Sequence, residues 1–237
     1  MLNESDPYVQ LKLKMLKHAM PAETAVVFGD MWRVDGGYTC KCLEYGCKQA
    51  LLVDTLETPR WQETRIQQPN LEFYKGDFSN ALFMQSIVRT FDIGVVYDVL
   101  LHQAPLLHTL NLMLSKVNKR ISIVQPMLRE QGFPNSLIYL PGNTSKELHP
   151  LRAQPHEART FAVDQVNHSH WLWGMTVSFL TSALRGEGFD VVHQASLEVD
   201  SLTEQWTMWG CVAERRSRNP LHWSNAQPTA GLYQADW

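Results

Sequence analysis

The sequence has no excess of positive charge, few cysteines and no apolar run long enough to span a membrane. Its 21 Lys and Arg residues against 24 Asp and Glu give a formal net charge of −3, so no global basic field draws it to nucleic acid or anionic lipid. Its longest apolar runs are strand-sized. The first ten residues, MLNESDPYVQ, are polar and acidic, unlike a secretory signal. We therefore expect a cytoplasmic protein with no membrane partner, and nucleic acid is an unfavoured partner.

The cysteines do not have the spacing of a zinc site. They are Cys40, Cys42, Cys47 and Cys211. The helical pattern places the first three in one helix, where Cys42 points away from the other two. We expect buried or half-buried free thiols in a reducing compartment.

The positive charge that the chain does have is concentrated in the segment 7–20, whose pattern predicts an amphipathic helix. Its basic residues are Lys12, Lys14, Lys17 and His18. They fall mostly on one face, which predicts a solvated helix surface. Two roles remain open for this helix: a contact in a homodimer, or a cap over a substrate pocket.

Apolar strands alternate with helical segments along most of the chain. We predict seven strands, at 25–28, 50–53, 71–75, 91–99, 121–124, 191–199 and 205–213. Helices are predicted between the first five strands and before the last pair, including one at 169–184 and one that begins at Ser79. This alternation predicts a three-layer α/β/α sandwich, with the last two strands antiparallel to each other.

The segment 25–55 is the most informative part of the chain. It reads as an apolar strand, a glycine-bearing turn, a helix and a second apolar strand that ends in Asp54. A parallel pair of strands joined by a helix places the turn and the acid at the same edge of a sheet. Glycines there let a ligand approach the backbone closely, and the carboxylate can accept hydrogen bonds from ribose hydroxyls.

Five segments, in this order, resemble the pattern of class I S-adenosylmethionine-dependent methyltransferases. They are a glycine loop at 28–37 that is split by an apparent insertion, Asp54 after the second strand, Gly76-Asp77-Phe78 after the third, 97–102 after the fourth (YDVLLH), and the helix–glycine–strand passage 180–192. The resemblance covers roughly residues 20–215. It implies a seven-stranded, mostly parallel Rossmann-like sheet whose last strand is antiparallel. A nicotinamide-dependent dehydrogenase would instead require an intact G-x-G-x-x-G, which this chain lacks.

The resemblance also implies S-adenosyl-L-methionine as the cofactor and assigns residues to its parts. The methionine end is expected against Gly29, Asp30, Gly36 and Gly37. The ribose is expected at Asp54 and Thr55. The adenine is expected at Asp77 and Phe78, and Tyr97 is expected to line the cofactor.

Methyl transfer to a hydroxyl or an amine needs a group that removes a proton from the acceptor. His102 is the candidate base because it follows strand four at the predicted catalytic edge and titrates near neutrality; a packed or capping imidazole is the alternative. Asp98 could orient that base or bind the cofactor. The candidate substrate-binding residues are Gln125, His168, His170 and Trp173. Packing within a helix is the alternative for Trp173. We predict no metal at His168 and His170, because hard cations prefer oxygen ligands.

These features predict a single methyltransferase domain over 1–237. It would comprise an N-terminal helix at 1–20, a substrate-covering insertion at 129–168 and a C-terminal tail at 215–237. The expected activity is O- or N-methylation of a small molecule. An RNA or nucleoside methyltransferase is one alternative, and a methyltransferase-like interaction protein that binds no cofactor is another, because the glycine loop is split.

Overall fold

Seven strands form the central sheet of the computed structural model, which describes residues 2–130, 134–139, 161–163, 166–168, 173–199, 202 and 204–216. The strands of the protein are β1 (Thr24–Phe28), β2 (Gln49–Asp54), β3 (Leu71–Lys75), β4 (Phe91–Tyr97), β5 (Val117–Leu128), β6 (Leu137–Tyr139), β7 (Phe161–Val163), β8 (Val166–His168), β9 (Trp173–Met175), β10 (Phe189–Leu197) and β11 (Trp206–Arg215). The helices are α1 (Pro7–Ala19), α2 (Gly37–Glu44), α3 (Pro59–Gln67), α4 (Ala81–Ser86), α5 (Leu106–Leu114) and α6 (Val177–Gly186), with a short 3₁₀ turn at Leu100–His102.

The order of strands across the main sheet is β10-β11-β5-β4-β1-β2-β3. The first five strands run parallel to one another, and β11 lies antiparallel to both β5 and β10. The mostly parallel seven-stranded sheet with an antiparallel last strand is therefore confirmed. The short pairs β6–β9 and β7–β8 form two further two-stranded sheets.

The alternation of side chains along the strands builds a hydrophobic core on each face of the sheet. On one face, Val26 and Phe28 of β1 belong to the core that includes residues of α4, α5 and α6. On the other, Ala25 and Val27 belong to the core that includes Leu16 of α1 and residues of α2 and α3. Both faces are covered, so the three-layer arrangement is confirmed.

The structure corrects several local predictions. The helix expected at 169–184 begins only at Val177, where the Thr176 hydroxyl caps it, and β9 precedes it. Asn80, not Ser79, caps α4, because its side chain accepts the N–H groups of the first turn. Cys47 lies beyond the end of α2.

The basic face of α1 is solvated only in part. Lys14, Lys17 and His18 are exposed as predicted, whereas Lys12 is 7% exposed. The prediction of a solvated surface is therefore wrong for Lys12, whose ammonium lies between the helix and the sheet. In the described part of the chain, no helix is long and apolar enough to cross a membrane.

Candidate active site at the carboxyl edge of the sheet

The loop after β1 folds into a tight, internally hydrogen-bonded turn. The N–H of Gly36 donates to the carbonyl of Asp30 at 2.7 Å, and the N–H of Gly37 donates to that of Val34 at 2.9 Å. Gly29 and Gly36 have φ values of +73° and +74°, in the left-handed region that glycine enters without steric cost. The split glycine motif is thus a closed turn that leads directly into α2.

Asp54 ties this loop to the end of β2. The residue is 8% exposed. One oxygen of its carboxylate accepts the N–H of Met31 at 2.9 Å, and the other accepts the N–H of Leu56 at 3.1 Å. Both oxygens of the carboxylate therefore accept backbone N–H groups, which holds the side chain in place at the end of β2. Thr55 follows it and is half-buried.

Asp30 is a buried carboxyl beside the loop. Its Oδ2 accepts both the N–H and the hydroxyl of Thr39, at 2.7 and 2.8 Å, and its Oδ1 has no hydrogen-bond partner among the described residues. Burial raises the pKa of Asp30 to about 7 against the opposing hydrogen bonds from Thr39. One buried oxygen is therefore left for a donor that the described residues do not supply.

The two residues after β3, Asp77 and Phe78, have different environments. Asp77 is exposed, and its Oδ1 accepts the N–H of Ser79 at 2.7 Å in a local turn. Phe78 is 7% exposed and packs edge-to-face on Phe28, 6.0 Å between ring centroids. A Cβ placed on Gly29 would lie 3.8 Å from the Phe78 ring and 2.6 Å from Val99, so Phe78 supports the glycine loop from beneath.

Tyr97 and Asp98 at the end of β4 both contact α1. The Tyr97 hydroxyl donates to the carbonyl of Lys12 at 2.9 Å, and Asp98, at φ +57°, accepts from Lys12 Nζ at 2.6 Å and from the Tyr8 hydroxyl. Sequence reasoning missed Tyr8 and Lys12. The available signal was their spacing of four, in register with buried Met15 and Ala19 on the same helix face.

His102 closes the 3₁₀ turn that follows β4 and is half-buried. Trp173 of β9 packs against this turn, since its indole N–H donates to the carbonyl of Gln103 at 2.7 Å, and its ring lies 5.0 Å from that of Tyr139. The structure therefore brings His102 and Trp173 into one neighbourhood. Trp173 lies on a strand and not on the helix that its alternative interpretation required.

Gln125 is fully buried beneath this neighbourhood. Its Nε2 contacts the sulfur of Met175 at 2.9 Å and that of Met127 at 3.4 Å, while its Oε1 has no partner among the described residues. His168 lies in β8, whose backbone alone is described, and His170 lies outside the described residues. Within the part of the chain described, no three His, Cys, Asp or Glu side chains converge as a metal site would require.

The strand order, the antiparallel β11 and the acids at the carboxyl edge define the fold of class I S-adenosylmethionine-dependent methyltransferases. One solved structure with this fold is 1,6-didemethyltoxoflavin-N1-methyltransferase of Burkholderia thailandensis, with bound 1,6-didemethyltoxoflavin and S-adenosylhomocysteine. It is 16% identical to this chain, covering 88% of this chain and 81% of its own, with a TM-score of 0.54.

Two further structures show the range of this fold. Magnesium protoporphyrin IX methyltransferase of Synechocystis PCC 6803, with bound S-adenosylhomocysteine, is 12% identical over 83% of this chain and 75% of its own, with a TM-score of 0.51. The [4+2]-cyclase SpnF is 8% identical over 87% and 80%, with a TM-score of 0.58. No protein-family model and no curated protein matches the chain. These similarities establish the fold, and the activity has to be argued from the residues.

Proposed function

We propose that this protein is an S-adenosylmethionine-dependent methyltransferase that acts on a small molecule, on oxygen or nitrogen. The observation that carries the proposal is the junction of the glycine loop with Asp54, where the N–H of Met31 fixes the carboxylate. This junction places a left-handed glycine turn and a preorganised acid side by side at the carboxyl edge of a parallel sheet, where such folds bind nucleotides.

We assign residues at this edge to the ribose, the methionine end and the adenine end of the cofactor. Asp54 is a fixed carboxylate at the end of β2, where we propose that it meets the ribose hydroxyls, and the unpartnered Oδ1 of buried Asp30 suits the α-ammonium of the methionine end. At the adenine end we propose Asp77 and Phe78 because they follow β3, as the resemblance to the methyltransferase pattern implies. When bound, S-adenosylmethionine supplies a methyl group on a sulfonium leaving group; the protein must position the acceptor and remove its proton.

His102 is the residue that we propose as the base. Asp98, which follows β4, is the residue that we propose to orient this base. Trp173, against the same turn, and the exposed ring of Tyr139 next to it offer planar apolar surface for an acceptor. A small-molecule acceptor is also consistent with the names of the two methyltransferases described above, one acting on didemethyltoxoflavin and one on magnesium protoporphyrin IX.

Calorimetric titration with S-adenosylhomocysteine tests the cofactor site. We expect micromolar affinity for the wild-type protein and at least a tenfold loss for Asp54→Asn, because charged hydrogen bonds to the ribose are lost. The matched control is Asp92→Asn. This carboxylate also accepts a backbone N–H, that of Glu23, but it lies at the opposite, amino edge of the sheet, so its replacement should leave the affinity unchanged. Equal affinity for wild type and Asp54→Asn would refute the ribose assignment.

A second test addresses the base, once an acceptor is known. His102→Gln should lower kcat by about 10²- to 10⁴-fold, since general-base catalysis is removed, while the affinity for S-adenosylhomocysteine stays unchanged. The measurement is a steady-state rate together with the same titration. An unchanged kcat would leave His102 as a packing residue.

A further inference from the structure

The N-terminal helix places a buried lysine beside the residues that follow β4 and begin α2. Lys12 is 7% exposed, and its ammonium lies 2.6 Å from Asp98 Oδ2, 4.0 Å from the centre of the Tyr8 ring and 5.3 Å from that of the Tyr38 ring. Tyr38 belongs to the first turn of α2 and Asp98 follows β4. The cation is therefore surrounded by residues of α1, of the helix after the glycine loop and of the strand-four edge.

The charges around this cation are incompletely satisfied. An ammonium has three donors, and Asp98 is the one hydrogen-bonded partner that the described residues give to the Lys12 ammonium. Burial lowers the pKa of Lys12 to about 7, while the nearby charge of Asp30 acts to raise it. Asp30 has its own unpartnered oxygen. A buried cation with spare donors and a buried acid with a spare acceptor thus lie within electrostatic reach of each other.

This pairing is complementary to the two charges of an α-amino acid. The α-carboxylate of an amino acid would bind the ammonium of Lys12, and its α-ammonium would bind the carboxylate of Asp30. A purely structural role explains the arrangement less well, because the Lys12 side chain is buried while that of its partner Asp98 is 33% exposed, and an ion pair that is only partly buried rarely repays the desolvation of its buried member. The side chain of Lys14, on the same helix, is in contrast exposed to solvent.

We propose that Lys12 of α1 binds the α-carboxylate of the amino-acid portion of the cofactor, with Tyr8 and Asp98 holding the ammonium in position. The N-terminal helix then forms part of the cofactor site and does more than pack against the sheet. This inference rests on the proposed function, since it names a further ligand group for the same cofactor.

The test compares two ligands that differ in the carboxylate alone, S-adenosylmethionine and its decarboxylated form. Calorimetric titration of the wild-type protein should show that S-adenosylmethionine binds about 10- to 100-fold more tightly, the range of a charge-assisted hydrogen bond. In Lys12→Met this preference should disappear while the affinity for the decarboxylated ligand changes less than twofold. Lys14→Met, an exposed position with the same loss of charge, should retain the full preference.

Two results would overturn this inference and leave the proposed function intact. One is a preference for S-adenosylmethionine that survives in Lys12→Met, and the other is an equal loss of affinity for both ligands in that variant. Lys12→Met could fail to fold because Asp98 is left unpaired. In that case the double variant Lys12→Met/Asp98→Asn removes both charges, and the ratio of its affinities for the two ligands tests the inference in the same way. Failure of both ligands to bind the wild-type protein would instead overturn the proposed function and this inference with it.

Discussion

At the scale of single residues, the carboxyl edge of the sheet is organised by buried charge. Asp30, Asp54 and Lys12 are each less than a tenth exposed, and burying an ionisable group costs free energy unless it is paired and hydrogen-bonded. Buried ionisable groups of this kind concentrate at functional sites, and the Oδ1 of Asp30 has no partner among the described residues.

Asp30 makes the stability of the protein depend on pH. Its pKa is about 7 in the folded state and about 4 in an unfolded chain, so the folded state retains a proton that the unfolded state releases. The stability contributed by this group is therefore full below about pH 4 and declines as the pH rises to about 7.

Asp30→Asn should remove that decline, since an amide keeps the shape of the side chain and cannot ionise. We expect the variant to match the wild type near pH 4.5 and to exceed its free energy of unfolding at pH 7 by on the order of 3 kcal/mol. Urea unfolding at the two pH values measures this difference. A pH-independent difference between the two proteins would show that Asp30 titrates normally.

At the scale of elements, the loop between β1 and α2 depends on glycine at one position more than any other. Gly36 has φ +74°, and an added Cβ would lie 2.3 Å from the ring of Trp61, which is fully buried. Both the backbone conformation and the packing therefore exclude a side chain.

Gly36→Ala should lower the free energy of unfolding by about 3 kcal/mol or more, as the sum of left-handed strain and overpacking. Gly186→Ala is the control: it lies at the end of α6, where a Cβ meets nothing within 4 Å, and it should be neutral or stabilise by up to about 1 kcal/mol. Chemical denaturation of both variants measures the contrast. Equal effects would mean that the loop does not require the observed turn.

Individual strands and helices show what the sequence could and could not predict. The strands β1 to β4 were predicted within two residues because buried parallel strands are continuous apolar runs. The role of Lys12 was missed, because a lysine in a basic run is usually solvated and only the tertiary contacts of α1 with Tyr97 and Asp98 bury it. The helix at 169–184 was placed too early because Trp173 is apolar and equally compatible with a short strand.

At the scale of the whole molecule, the order of elements was predictable and the arrangement of the site was predictable in part. Asp54 and the glycine loop meet as their positions after β2 and β1 require. That Phe78 would support the loop and that Gln125 would be covered by Met175 depends on packing between distant segments, which periodicity does not encode. The homodimer and the cytoplasmic location stay predictions.

The central claim is that the carboxyl edge of this sheet binds S-adenosylmethionine between the glycine loop and Asp54. A crystal structure of the protein with S-adenosylhomocysteine tests it most directly. The account predicts ligand density with the ribose at the Asp54 carboxylate and the amino-acid end towards Asp30 and Lys12. A well-ordered protein with the edge empty at saturating ligand, or with the ligand bound elsewhere, would contradict it.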